Sequence, residues 1–222
     1  MPTLTREDDV LVLDLGDDEN RFTPDWLTGA ERALDEVEAA EGARALVTTG
    51  SGRFYSNGLD LDWLLAHPAE GQGYAARIEV LLARVLAAPL YTVAALPGHA
   101  FGGGAMLALA HDSRVMRADR GFWCLPEAAL GLPFQPGMAA LIQARLTPQV
   151  AHEAMVTGRR YGGTEARDAG IVDDAVAEEA GRSTGVERAA SRTGLAGPGL
   201  AGIKTTMYGP VLAALRQGSA TA

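Results

Sequence analysis

Tyr91-Thr92-Val93-Ala94-Ala95-Leu96-Pro97-Gly98-His99-Ala100-Phe101-Gly102-Gly103-Gly104 is the stretch on which the fold turns. Tyr91 to Ala95 reads as a strand, and Ala105 to His111 has helical composition, so the glycines between them sit at a strand end and a helix start. Outward from this point the alternation repeats. Val10 to Leu15 is a strand, and Thr23-Pro24-Asp25 supplies an N-cap and a first-turn proline for a helix running to about Ala40. Ala43 to Thr49 is another strand, ending at Gly50. It is followed by the loop Ser51 to Leu59, a short helix Leu61 to Ala66 capped by Asp60, and an apolar helix, Tyr74 to Ala88, that stops before Pro89. Downstream, Arg114 to Met116 and Gly121 to Cys124 are extended. Helices entered through proline follow at Pro136 to Arg145 and Pro148 to Thr157, and Gly162-Gly163-Thr164-Glu165 opens a shorter one. Strands separated by helix-length segments make an α/β fold. No internal repeat is visible, and Gly181 to Pro198, rich in Ser, Thr, Arg and Gly, reads as a mobile connection before a final helix of about Leu200 to Arg216.

The chain has 222 residues, 47% of them hydrophobic, which suits one domain with a sizeable core. A net charge of −9 with no Lys/Arg block argues against nucleic acid as a partner. One cysteine and four scattered histidines exclude a disulfide framework and a structural zinc, and a reducing cytoplasm is the expected location. The residues from Met1 to Val10 lack a signal-peptide pattern, and no apolar run reaches the length of a membrane span, so no membrane association is expected.

Three places concentrate the chemistry. Gly98 to Gly104 lets backbone N–H groups approach a ligand with no Cβ in the way, a nest for an oxyanion. Either a phosphate or the enolate oxygen of an activated carbonyl would fit, although no Gly-Lys-Ser/Thr follows and the G-x-G-x-x-G spacing fails. Close helix-to-sheet packing is the alternative use of these glycines. Gly50 to Asp60 is a second glycine-bearing loop at a strand exit, and two such loops in one sheet suggest a shared pocket beyond the strand ends. Glu127, in the apolar run Trp123 to Pro133, is either a surface residue starting a turn or a carboxyl whose pKa is raised toward neutrality by its surroundings, as a general base requires. There is no G-x-S-x-G elbow. Cys124 reads as core packing, His99 as a loop histidine bonded to backbone in preference to a ligand contact, His67, His111 and His152 as helix-end or surface residues, and Asp112 as a helix-end or turn residue.

Phe54 to Leu61, Gly98 to Met106 and Pro126 to Pro133 together resemble the three signature regions of the enoyl-CoA hydratase/isomerase (crotonase) superfamily, in order and separation. Asn20 to Pro24 resembles its first loop, and Thr164 to Asp173 its "EA…GLVD" segment, so the likeness runs from about residue 8 to 176. Tyr55 to Leu61 and His111 to Gly121 look most like monofunctional Δ3,Δ2-enoyl-CoA isomerases of fatty-acid β-oxidation. The resemblance implies a crotonase-like (ClpP/crotonase) spiral of ββα units over residues 1–180 and a short C-terminal helical segment over 181–222. It also implies an oxyanion hole made by the N–H groups of Leu59 and Gly103, which would hold a thioester oxygen. Hydratases of the family use two glutamates; here the matching positions hold Met106 and Glu127, which favours double-bond migration by one base, Glu127, over addition of water. Other activities of the family (hydratase, decarboxylase, thioesterase) and non-catalytic acyl-CoA binding are the alternatives. The resemblance further implies contacts to CoA or the acyl chain from Arg21, Phe22, Ser56, Asn57, Asp60, Leu61, Gly102 and Pro126. Arg53 and Lys204 are candidates for the CoA phosphates, and Trp63, Leu64, Phe101, Phe134 and Met138 for setting pocket depth. The CoA thioester is substrate, with no separate cofactor and no metal, and the expected assembly is a homotrimer or dimer of trimers.

Overall fold

The computed structural model describes residues 1–177 and 180–220. A six-stranded sheet is built from β1 (Thr3–Glu7), β2 (Val10–Asp14), β3 (Ala45–Thr49), β5 (Tyr91–Leu96), β7 (Ser113–Arg117) and β9 (Asp174–Val176), in the order β1-β2-β3-β5-β7-β9. Only the β1–β2 pair is antiparallel; the other pairings are parallel. A second, parallel sheet contains β4 (Phe54–Ser56), β6 (His99–Phe101) and β8 (Trp123–Cys124), in the order β4-β6-β8.

The chain alternates between the two sheets. It passes from β3 to β4 and into α2 (Leu61–Ala66) and α3 (Gly71–Leu86), then from β5 to β6 and into α4 (Gly103–Ala110), then from β7 to β8 and into α5 (Glu127–Leu130). This is the strand–strand–helix spiral expected from the resemblance. The repeat lies in the path of the backbone and leaves no repeated residues to find.

Both faces of the large sheet are covered, so its strands are apolar on both sides. Leu11, Leu13, Leu46, Ala94, Leu96 and Met116 join the main core with α1 (Pro24–Ala39), α3 and α4. Val10, Val12, Ala45, Val47, Val93, Ala95 and Val115 face the other way, against α9 (Gly181–Ala190). The segment expected to be a mobile connection is therefore a packed helix over its first ten residues. Gly181, Gly185 and Ala189, one turn apart, form a flat side: a Cβ on Gly185 would already come within 3.1 Å of the Ala95 side chain. Small residues that read as a linker are here the condition for close approach to the sheet.

The remaining helices are α6 (Pro136–Arg145), α7 (Pro148–Thr157), α8 (Gly163–Asp168), α10 (Pro198–Met207) and α11 (Gly209–Ala220). The single final helix expected from Leu200 is thus two, interrupted at Tyr208, because Pro210 cannot continue the ladder of a helix begun upstream. α11 packs on α3 and α6. The C-terminal segment is joined to the core through these contacts, and residues 221–222 of its expected span lie outside the described residues. No helix among the described residues is long and apolar enough to cross a membrane.

Candidate active site

The small sheet sets the site. Its three parallel strands end at Ser56, Phe101 and Cys124, and two or three residues beyond each end stand Leu59, Gly103 and Glu127. All three line one cavity of about 530 Å³. Its other walls are largely apolar, with Leu61, Leu64, Met106, Phe134 and Met138 among them.

The two glycine loops meet in direct backbone contact. Gly58 has φ +74°, and a Cβ on it would lie 2.6 Å from the Gly103 nitrogen, 2.7 Å from the Phe101 carbonyl oxygen and 3.1 Å from the Gly104 nitrogen. Only glycine allows both the left-handed turn and this approach. Beneath them, the Phe22 ring and the Leu59 side chain would each be 2.9 Å from a Cβ on Gly103. Gly104 fits against Ser56, whose carbonyl oxygen would be 2.3 Å from an added Cβ. Close packing, the alternative use of the triplet, thus accounts for Gly104, while Gly103 also opens α4 with its N–H. Among the described residues, neither the Leu59 nor the Gly103 N–H has a protein acceptor. Two amides on adjoining strand exits, one of them at a helix N-terminus, are suited to receive negative charge on an oxygen.

The Leu59 loop is held from both sides. Gly58 N–H donates to Ser56 Oγ (3.0 Å), Ser56 Oγ–H donates to the Asn20 carbonyl (2.7 Å), and Phe22 N–H donates to the Gly58 carbonyl (2.8 Å). On the far side Asp60 N–H donates to the Tyr74 hydroxyl (2.8 Å), and Asp60 Oδ1 accepts from Trp63 N–H (3.3 Å), capping α2 as expected. Arg21 makes ion pairs with Glu19, Asp60 and Asp62 at 2.5, 3.7 and 3.3 Å.

Of the residues the resemblance assigned to ligand contact, Asn57, Leu61, Gly102 and Pro126 line the cavity. Phe22 and Ser56 are fully buried, and neither offers a surface to a ligand: Phe22 floors the glycine loops and Ser56 ties the chain at Asn20 to the turn at Gly58. Arg21 and Asp60 stand outside the cavity lining, engaged with each other and with α2. Of the depth candidates, Leu64, Phe134 and Met138 line the cavity, whereas Trp63 and Phe101 do not.

Glu127 is the first residue of α5 and stands over Gly102, whose φ is +50°. A Cβ on Gly102 would be 3.2 Å from Glu127 Oε1. Glu127 Oε2 is buried without a hydrogen-bond partner. Desolvation pushes the carboxyl up to about 7, opposed only in part by its own backbone N–H. Of the two readings open for this residue, the second fits: Glu127 begins a short, partly exposed helix, but its Oε2 is buried and it lines the cavity. A carboxyl in this state gives up and takes back a proton at near-neutral pH with little driving force wasted.

A second carboxyl in the cavity had no place in the reading of the sequence. Glu79, on α3, is 2% exposed and lines the same pocket. It stands among Ala76, Leu82, Ala83 and Leu86, so a charge inside the apolar stripe of a helix was the available signal.

Several expectations are corrected. Lys204 does not reach out to a phosphate: it is 3% exposed, and its Nζ donates to Asp112 Oδ2 (2.6 Å) and the Leu90 carbonyl (2.9 Å). Asp112 is therefore more than a turn residue, since it also accepts from Thr92 N–H (2.8 Å) and Thr92 Oγ1–H (3.1 Å). His111 ends α4 but is fully buried, with Nδ1 at 2.8 Å from the Leu107 carbonyl and Nε2 at 2.9 Å from Thr48 Oγ1; burial pushes it down to about 3 and keeps it neutral. His99 lies in β6 among Phe54, Phe101 and Phe122, and its Nδ1 has no partner. Cys124 is buried, as expected of core packing, and its Sγ lies 3.1 Å from the Gly158 carbonyl. Arg53 remains exposed.

The family model described as enoyl-CoA hydratase/isomerase matches residues 5–196. The chain is 37% identical over 190 residues to enoyl-CoA delta isomerase 3 of Arabidopsis thaliana, covering 81% of this chain and 79% of that protein. A solved apo enoyl-CoA isomerase from Mycobacterium tuberculosis superposes with a TM-score of 0.90 at 28% identity, over 98% of this chain and 95% of the other. A structure from the same organism described as a probable enoyl-CoA hydratase gives a TM-score of 0.91 at 27% identity, over 98% and 92% of the two chains.

Proposed function

The chain belongs to the enoyl-CoA hydratase/isomerase family, and from that premise we propose that it is a Δ3,Δ2-enoyl-CoA isomerase, converting a 3-enoyl-CoA into the 2-trans-enoyl-CoA. The thioester oxygen sits between the N–H groups of Leu59 and Gly103. Glu127, as carboxylate, removes a proton from C2. The C–H electron pair moves into the C1–C2 bond, and the carbonyl oxygen becomes an enolate conjugated with the C3–C4 double bond. The two amides stabilise that dienolate most strongly when its charge is on oxygen, and one such donor is typically worth about 2.7–4 kcal/mol in the transition state. Glu127 then returns the same proton at C4. The electrons of the C3–C4 π bond accept it, the C1–C2 π electrons become the C2–C3 double bond, the enolate oxygen returns its electrons to restore the C1 carbonyl, and the carboxylate is regenerated.

The observation that carries this reading is the single carboxyl beside the anion nest. Met106, at the position where the resemblance puts the first glutamate of hydratases, lines the cavity with a side chain that cannot orient or deprotonate water. Hydration is the second reading, and Glu79 is what favours it, since it restores a second carboxyl to the cavity. Against it, Glu79 Oε1 is turned toward Gly137 and Leu215, between α6 and α11, whereas Glu127 stands over Gly102. The two carboxyls belong to different walls, and neither shares a hydrogen bond with the other.

The test incubates purified protein with 3-hexenoyl-CoA and, separately, with crotonyl-CoA. Formation of the conjugated 2-enoyl thioester from the first, abolished in Glu127→Gln, is expected; rapid water addition to the second would favour the hydratase. Tight binding without turnover of either would favour a non-catalytic acyl-CoA-binding protein. The proposal extends to a trimeric assembly, supported by Leu195, Ile203 and Met207 exposed on the C-terminal segment, and checked by sedimentation. It also extends to a reducing compartment such as the cytoplasm, supported by the single buried Cys124.

A further inference from the structure

Glu79 lines the cavity, with its Oε1 turned between α6 and α11, and has no part in the proton shuttle. Three elements enclose it: its own helix α3, the start of α6 at Gly137, and α11 at Leu215. Its Oε1 would be 2.7 Å from a Cβ on Gly137, and it has no hydrogen-bond partner. Gly137 N–H approaches the carboxyl and offsets part of its desolvation, but Pro136 at the start of α6 supplies no donor, and Oε1 is left without a hydrogen-bond partner. The same cavity is lined by Met106, Met138 and Phe134. A plain alkyl chain lying there would leave a buried polar group unpaired, and a Leu or Met would serve such a chain better.

We propose that Glu79 is a specificity-determining residue, whose carboxyl hydrogen-bonds an oxygen on the distal part of the acyl chain, so that this site selects hydroxylated or oxo-substituted acyl thioesters over unsubstituted ones. Burial raises its pKa above the ordinary carboxylate range, and the neutral acid both donates to a carbonyl or hydroxyl oxygen and accepts from a hydroxyl. The inference rests on reading the cavity as an acyl-CoA site but needs none of the isomerisation chemistry.

The experiment is therefore one of binding. Octanoyl-CoA and a positional series of its monohydroxylated derivatives, with the hydroxyl at C5 through C8, are titrated calorimetrically into the wild type, Glu79→Gln and Glu79→Leu. At least one hydroxylated thioester is expected to bind the wild type about tenfold more tightly than octanoyl-CoA, the ratio of one hydrogen bond. Glu79→Gln keeps a donor and an acceptor and retains most of that preference; Glu79→Leu loses it and binds octanoyl-CoA at least as well as the wild type. A purely structural Glu79 would lower the melting temperature in both variants and leave the ratio unmoved, which would overturn the proposal. So would a wild type that binds no member of the series more tightly than octanoyl-CoA. Failure of the isomerase reading shows itself separately, as absence of turnover of 3-hexenoyl-CoA with the binding preference intact.

Discussion

Gly58→Ala tests the anion nest without touching a side chain. The added Cβ would stand 2.6 Å from the Gly103 nitrogen and 2.7 Å from the Phe101 carbonyl oxygen, against an ordinary contact of 3.4 Å, a shortfall of about 0.8 Å. Both neighbours are backbone, so no rotamer change relieves it and the Leu59 and Gly103 loops must separate by that amount. A φ of +74° adds a backbone cost of about 1–2 kcal/mol for an L-residue, and the crowding adds about 1–3 kcal/mol. The catalytic effect is larger. Moving one amide by most of an ångström from the developing oxyanion should lower kcat by roughly 10²–10³. KM should change little, because the donors act most on the enolate. Isomerisation of 3-hexenoyl-CoA, followed at low temperature with circular dichroism on the same samples, reads both effects. A folded Gly58→Ala protein with kcat within threefold of wild type would refute the assignment of these two amides.

Glu127→Gln should cost about 10²–10⁴ in kcat while leaving the affinity for a saturated acyl-CoA unchanged. In the wild type, kcat/KM should rise about tenfold per pH unit up to about 7 and then level off, because the free enzyme must hold Glu127 as carboxylate. The same raised pKa means that the stability the neutral carboxyl contributes is lost as pH climbs from about 4.5 to about 7, so Glu127→Gln should melt progressively higher than wild type across that range and hold a constant lead above it. A pH-independent difference in melting would contradict this. Lys204→Met leaves the partly exposed Asp112 without its cation and should cost about 1.5–3 kcal/mol in urea unfolding, with part recovered in Lys204→Met/Asp112→Asn. Gly185→Leu should lift α9 from the sheet and cost about 1–3 kcal/mol by the same measurement, with little change in kcat.

β2, β3, β5 and β7 of the large sheet and the proline-entered helices were legible because each carries its own pattern, and α6 and α7 run over the residues that their prolines and apolar positions predict, whereas the exposed edge strand β1 and the three-residue β9 carry none. Of the small sheet only β8 falls in a segment the sequence marks as extended, Gly121 to Cys124. β4 and β6 are three residues long and β8 two, too short for any periodicity, and they exist only by pairing with one another, β4 with β6 across more than forty residues of chain and β6 with β8 across more than twenty. The glycine loops and Glu127 stood out because backbone access and a carboxylate among apolar residues are local signals. Glu79 and Lys204 did not, because what matters about them is which distant helix encloses them: Gly137 and Leu215 in one case, Leu90 and Asp112 in the other. α9 was misread for a related reason, since small residues mean slack in an open chain and tight fit against a sheet.

The three short strands behave as a ruler. Neighbouring strands in a sheet lie about 4.7–4.9 Å apart, and Leu59, Gly103 and Glu127 each leave one of them within three residues of its end. The spacing between the amide pair and the acid is thereby built from main-chain pairing and is independent of what side chain follows the third strand. Exchanging the residue at position 127, or adding an acid at 106, would retool the chemistry while the grip on the thioester stays calibrated. A scaffold of this kind can diversify its reactions one substitution at a time.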